Sequence, residues 1–122
     1  MLNLERSLNL NRATRLVGRS VQNPAGEALG TLKDLMLDDK RGRVAYAVIS
    51  FDGFLGMGTK LFSIPWEALT LGAEGETLLL AVDKGLLLNA PGFEEDQWPG
   101  QADTKWCHAV HCHYGFKPYW EP

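Results

Sequence analysis

Five side chains able to hold a soft metal fall within seven positions: Cys107, His108, His111, Cys112 and His113. They are all the cysteines and histidines of the chain. On a helix, Cys107 stands one turn from His111, and His108 one turn from Cys112. Either pair could supply two corners of a zinc tetrahedron. Structural zinc sites gather ligands from two separated segments, so a carboxylate such as Asp103, or another subunit, would have to complete the shell. A nucleophilic Cys–His pair needs more: a lowered thiol pKa, a third orienting group and an oxyanion hole. A short aromatic-rich tail offers none of these. A Cys107–Cys112 disulfide needs Cα atoms within about 7 Å, and the i,i+5 offset of a straight helix suits it poorly. The competing reading is an amphipathic helical turn. Trp106, Val110 and Tyr114 recur at i, i+4 and i+8 and would dock it on the rest of the molecule.

A second feature is the glycine-rich run Gly53, Phe54, Leu55, Gly56, Met57, Gly58. It is not a dinucleotide fingerprint, which opens a helix with Gly-x-Gly-x-x-Gly. No Lys-Ser or Lys-Thr pair closes it as in a phosphate loop, and a strand follows instead of a helix N-terminus. Its large side chains Phe54, Leu55 and Met57 would form an exposed patch unless a partner covered them. The aromatic residues Trp98, Trp106, Tyr119 and Trp120 sit among prolines and Glu121 without the basic groove that a nucleic-acid platform requires. They read as packing or interface anchors. Phe51, Phe54, Leu55, Met57, Trp98, Trp106, Tyr119 and Trp120 are therefore the candidate interaction residues. The adjacent carboxylates Asp38-Asp39 and Glu94-Glu95 read as solvated turn charge.

The elements that must position these groups are short. The chain has 122 residues, 45% hydrophobic and 22% charged, with a net charge of −3. This suits one compact domain. The first 19 residues hold four arginines against Glu5; the remainder is acidic. Such a body repels phosphates, so no nucleic-acid partner is expected. No apolar run approaches the length of a membrane span. The N-terminal stretch lacks a continuous apolar signal core, and there is no dense cysteine framework; cytoplasmic residence follows as the expectation.

Residues 1–14 read as an arm with isolated leucines. Residues 15–88 read as strands near 17–22, 29–37, 44–51, 61–64, 70–71 and 77–82, separated by turns at 23–26 and 38–42. A bulge near Lys33-Asp34 reconciles the two parities of the second strand. The 44–51 strand is apolar on both faces: Val44, Tyr46 and Val48 on one, Ala45, Ala47, Ile49 and Phe51 on the other. One face can line an interior; the other must meet the tail or a second subunit. A helical turn is expected at 84–89, capped by Asp83. Residues 89–122 form a Gly-, Pro- and aromatic-rich extension. The close turns and the absence of long helices between strands predict a small barrel or sandwich without βαβ units.

Several runs resemble a PRC-barrel domain: Leu16-Val17-Gly18-Arg19, Gly26-Glu27-Ala28-Leu29-Gly30, Lys33-Asp34-Leu35, Gly42 to Val48, the Gly53 to Gly58 loop, and Leu61 to Trp66. Related domains occur in the photosynthetic reaction-centre H subunit and a ribosome-maturation factor. The tail is similar to the extension of stand-alone bacterial members. The resemblance implies a mostly β fold: a six-stranded, largely antiparallel barrel with short helical turns in its extension. It also implies an assembly theme, with no catalytic residue or cofactor to carry over. The expected function is a non-enzymatic protein-interaction or assembly module acting as a homodimer. The alternative is a small metal- or ligand-binding protein using the Cys107 to His113 cluster.

Overall fold

The computed structural model describes residues 10–51, 60–71, 77–82, 84–100 and 103–121. A single helical turn, α1 (Ala13–Leu16), inserts Leu16 into the core. Strands β1 (Ser20–Gln22), β2 (Ala28–Asp38) and β3 (Arg43–Ser50) follow. Both tight connections are built by acidic or amide side chains that bond nearby backbone. Asn23 Oδ1 accepts from Glu27 N at 2.9 Å. Asp38 Oδ1 accepts from Lys40 N and Arg41 N, each at 3.1 Å. The chain continues through β4 (Leu61–Pro65), a 3₁₀ turn (Trp66–Ala68), β5 (Leu69–Leu71), β6 (Leu78–Leu80), α2 (Lys84–Leu88), β7 (Gly92–Phe93) and α3 (Thr104–His113).

The strands form one sheet in the order β5-β6-β1-β2-β3-β4-β7. All pairs are antiparallel except β1 with β6, where Val21 lies beside Leu78. This corrects the six-stranded, largely antiparallel barrel in three respects. The sheet is mixed, it has a seventh strand, and among the described residues its ends β5 and β7 do not pair to close it. Parallel neighbours need a long crossover, but that crossover need not be a helix. Here β2 to β5 themselves carry the chain from β1 to β6. The seventh strand comes from the expected extension, where Phe93 pairs with Leu61 and Gly92 with Phe62.

The bulge expected near Lys33-Asp34 is present: Leu32 pairs with Ile49 and Asp34 with Val48, leaving Lys33 over. A second irregularity lies opposite. Met36 pairs with Tyr46 and Leu37 with Val44, so Ala45 is the extra residue. It joins the cluster of Tyr46 and Val48 instead of that of Ala47 and Ile49, which corrects the simple alternation along β3.

The sheet consequently separates two apolar clusters. On one side Val21, Leu29, Leu32, Ala47, Ile49, Phe51, Phe62, Ile64, Leu78, Leu80 and Leu87 form the main core. On the other, Ala45, Tyr46, Val48, Leu61 and Phe93 pack with Val110 of α3. The chain itself covers the second face of β3, the face for which a second subunit was one candidate cover. Val48 is fully buried and Tyr46 nearly so.

Candidate functional site

The site grows from α3, because that helix carries the Cys/His cluster and closes the second core. Asp103 starts it by accepting from Trp106 N at 2.9 Å, the bond expected of an N-cap carboxylate. Gly115 ends it. Its φ of +78° lets the chain turn back so that Gly115 N reaches Cys112 O and Phe116 N reaches His111 O. This is the glycine-dependent C-terminal turn that satisfies otherwise free helix carbonyls. Val110 is buried, Tyr114 nearly so, and Trp106 partly. The i, i+4, i+8 spacing therefore marks the docking face.

The helix distributes the five Cys and His side chains over separate surroundings. Cys107 and His111 face inward. His111 is fully buried, and its Nδ1–H donates to Cys107 O at 2.9 Å, leaving Nε2 without a partner. Cys107 Sγ lies 3.9 Å from the same Nδ1. His108 and Cys112 are exposed as a pair, Sγ to Nδ1 3.5 Å, and His108 Nε2 lies 3.7 Å from Glu121. His113 turns toward α2 and donates from Nε2 to Leu86 O at 2.7 Å. Asp103, the carboxylate that could complete a zinc shell, is engaged as the helix cap. Among the described residues no three His, Cys, Asp or Glu side chains are grouped to hold a metal ion. Burial, reinforced by the carboxylates of Asp38, Glu67 and Asp103, pushes the Cys107 thiol up to about 11. The thiolate needed for nucleophilic attack or zinc ligation is disfavoured there.

Between α3 and the sheet lies a polar seam that the sequence reading missed. Trp106 Nε1–H donates to Ser63 Oγ at 3.0 Å. Ser63 is fully buried on β4 and also hydrogen-bonds Tyr46. Burial, followed by the neighbouring Cys107, pushes the Tyr46 hydroxyl up to about 12. The only signal for Ser63 in the sequence is a polar residue inside the apolar run Leu61 to Ile64.

The C-terminal residues 116–121 return across this assembly. The Tyr119 hydroxyl donates to Asp38 Oδ2 at 2.6 Å. The Arg43 guanidinium stands 3.8 Å from the Tyr119 ring centre and 3.2 Å from Glu67. Rings of Tyr119 and Trp120 flank the buried His111 imidazole. Asp38, assigned to solvated turn charge, instead fastens the tail to the end of β2. No local pattern in the sequence announces a partner 81 positions away.

That fastening is titratable. The Tyr119 hydrogen bond, then the backbone N–H and guanidinium of Arg41 and the Lys40 N–H, hold the Asp38 carboxyl below its usual 3.8 against the opposing effect of burial. A depressed carboxyl contributes stability above its unfolded value and loses it as pH falls through the folded one. Acidification below about pH 4 should therefore lower the thermal midpoint more steeply in the wild type than in Asp38→Asn. Melting curves from about pH 6 to about pH 3 check this; parallel slopes would exclude Asp38 as a source of acid sensitivity.

An open groove of about 580 Å³ runs between the β2–β3 turn, the start of α3 and this tail. Met36, Leu37, Ala45, Tyr46, Tyr119 and Trp120 supply apolar and aromatic surface, and Asp39, Lys40, Arg41 and Asp103 are among its polar lining residues. Leu37 is 66% exposed.

Of the candidate interaction residues, Phe51 is buried against Phe62 at a centroid distance of 4.9 Å. Trp106, Tyr119 and Trp120 make the intrachain contacts given above. Trp98 remains 38% exposed while packing on Phe93. Phe54, Leu55 and Met57 lie outside the described residues, as does Asp83. No helix among the described residues is long and apolar enough to cross a membrane.

The family model described as the PRC-barrel domain matches residues 9–87. No curated protein matches the chain. The matched span contains β1 to β6 and ends within α2, so the groove joins surface from the matched domain to surface from the segment that follows it.

Proposed function

The chain belongs to the PRC-barrel family, and from that premise we propose that it is a non-enzymatic protein-interaction or assembly module that works in the cytoplasm. One observation carries this reading: the open groove beside the β2–β3 turn, with apolar and aromatic surface and polar lining residues. This composition resembles a protein interface, in which an apolar centre is bordered by polar groups. Leu37 presents the most exposed large aliphatic side chain on β2 to that groove.

A second copy of the chain is the first partner we propose. Closed twofold pairs are the commonest assemblies of identical chains, and the modest net charge of −3 opposes one only weakly. Because the chain covers the α3-facing side of β3 itself, the second copy is placed, among the described residues, on the groove and not on that strand face. Sedimentation equilibrium at micromolar concentration tests the proposal. The wild type should have the mass of two chains, and Leu37→Asp should shift the equilibrium toward one by burying a charge at the contact. A wild-type mass of one chain would remove the homodimer. A variant that remains fully dimeric would move the interface away from the groove.

A further inference from the structure

Between Glu5 and Glu27 the chain has no carboxylate side chain, yet Arg12, Arg15 and Arg19 fall within eight residues. The fold gathers them. Arg15 N and Leu16 N both bond Arg12 O, at 2.9 and 3.3 Å, and close the turn of α1. Arg19 Nε donates to Arg15 O at 3.0 Å, which brings the third guanidinium back to that turn. Arg12 and Arg15 are exposed and take part in no ion pair among the described residues. Arg41 and Arg43, by contrast, meet Asp38 and Glu67.

Aliphatic groups stand in the same segment. Leu10 is 82% exposed and Val17 39%, two of the four exposed large apolar side chains among the described residues. Leu16 between them is buried in the main core. Gly18 N bonds Leu32 O at 2.8 Å and Leu32 N bonds Arg19 O at 2.9 Å, so the segment is also fastened to β2. Like charges gathered without a carboxylate repel one another, and exposed aliphatics are unfavourable in water. An anionic bilayer relieves both, because its phosphates meet guanidiniums and its acyl boundary takes the aliphatics. Residues 10–19 hold no aromatic side chain. A protein interface centres on packed aromatic and arginine anchors, so isolated leucine and valine among arginines fit a fluid surface better. The remainder of the chain is acidic, so an anionic surface attracts this segment and repels the rest.

We propose that residues 10–19 form a peripheral membrane contact, in which Arg12, Arg15 and Arg19 meet anionic lipid headgroups while Leu10 and Val17 enter the acyl boundary. The cytoplasmic leaflet is anionic, which agrees with the compartment proposed above. None of these residues lines the groove. The proposal therefore does not depend on what occupies it, and its failure would leave the interaction reading intact.

Co-sedimentation of the full-length chain with sucrose-loaded vesicles tests it. One set of vesicles is phosphatidylcholine alone; the other is phosphatidylcholine and phosphatidylglycerol in equal parts. At low ionic strength the chain should pellet with the anionic set and stay in solution with the neutral one. Salt at about 1 M, where the Debye length falls to about 3 Å, should release most of it. Each arginine near an anionic surface is worth about fivefold in partition, so Arg12→Gln with Arg15→Gln should lower binding by at least about tenfold. Leu10→Ser should weaken it several-fold. Lys105→Gln removes an exposed positive charge from α3 and should bind as the wild type does. Circular dichroism should give all these chains the wild-type thermal midpoint, since the altered side chains are exposed. No pelleting with the anionic set, or equal pelleting with both sets, would overturn the contact. A double variant that binds like the wild type would overturn its placement at residues 10–19. Capture on immobilised polyglutamate without pelleting on vesicles would overturn the lipid and assign the arginines to an acidic polypeptide.

Discussion

Removal of residues 104–122 should leave a chain that aggregates or no longer unfolds cooperatively. The deletion strips Val110, Trp106 and Tyr119, the cover over Ala45, Tyr46, Val48, Leu61 and Phe93, and takes Tyr114 out of the main core. Burial of one large apolar side chain is worth about 1.5–3 kcal/mol. Four such losses approach the whole stability of a small domain, about 5–15 kcal/mol. The polar seam suffers as well, because Ser63 loses Trp106 while remaining within the sheet. A smaller lesion makes the same point: Val110→Asp would place a charge where the side chain is fully buried, a substitution with no compensating partner in an apolar cluster. Light scattering and thermal circular dichroism on the truncated chain and on Val110→Asp are the measurements. A truncated chain with the wild-type midpoint and solubility would show that the sheet does not need α3.

Gly30→Ala should be nearly as damaging, although it adds one methyl group. Gly30 lies on β2 where Val21 of β1 is its partner. A Cβ at this position would enter the space of the Ser50 carbonyl oxygen, with the Ser50 carbonyl carbon and Phe51 Cα close behind. These are backbone atoms of β3 and of the residue after it, so no rotamer change can make room. The strands would have to separate where β2 bends toward Leu32 and the bulge at Lys33. Overpacking of a well-packed interior costs about 1–3 kcal/mol, and a backbone clash belongs at or above the upper end. Gly100→Ala serves as the control, since a Cβ there meets nothing within 4 Å. Urea denaturation of both variants decides the matter. Equal midpoints for Gly30→Ala and the wild type would mean that the strands accommodate the added methyl.

Local patterns carried the parts of the structure that depend on local chemistry. The turns at 23–26 and 38–42 were legible because proline fixes φ and glycine permits a positive φ, which Gly26 and Gly42 adopt. The bulge at Lys33 was legible because a strand whose apolar residues fall on two parities must slip once to reconcile them. The dual burial of β3 was legible in Tyr46, Val48, Ala47 and Ile49, since a strand apolar on both sides must be covered on both. The docking face of α3 was legible in Trp106, Val110 and Tyr114. These readings, with the ordered motif runs, were sufficient for the family, because they rest on periodicity and turn chemistry that a linear sequence records.

The tertiary structure alone decided what lies beside what. The parallel pairing of β1 with β6 joins residues more than 50 positions apart, and no local pattern favours it over closure of an antiparallel ring. The two residues of β7 are too few to show alternation; their strand state comes from Leu61 and Phe62 offering an open edge. The same holds for the candidate site. Spacing put Cys107 beside His111 and His108 beside Cys112, but only packing buried His111 with Cys107 half-buried beside it and left the other pair exposed. Asp38 became an anchor for Tyr119, and Ser63 a partner for Trp106, because folding placed a lone polar group within reach of a distant donor. Periodicity is written along the chain, whereas a hydrogen bond between residues 38 and 119 exists only once the sheet and α3 have been assembled.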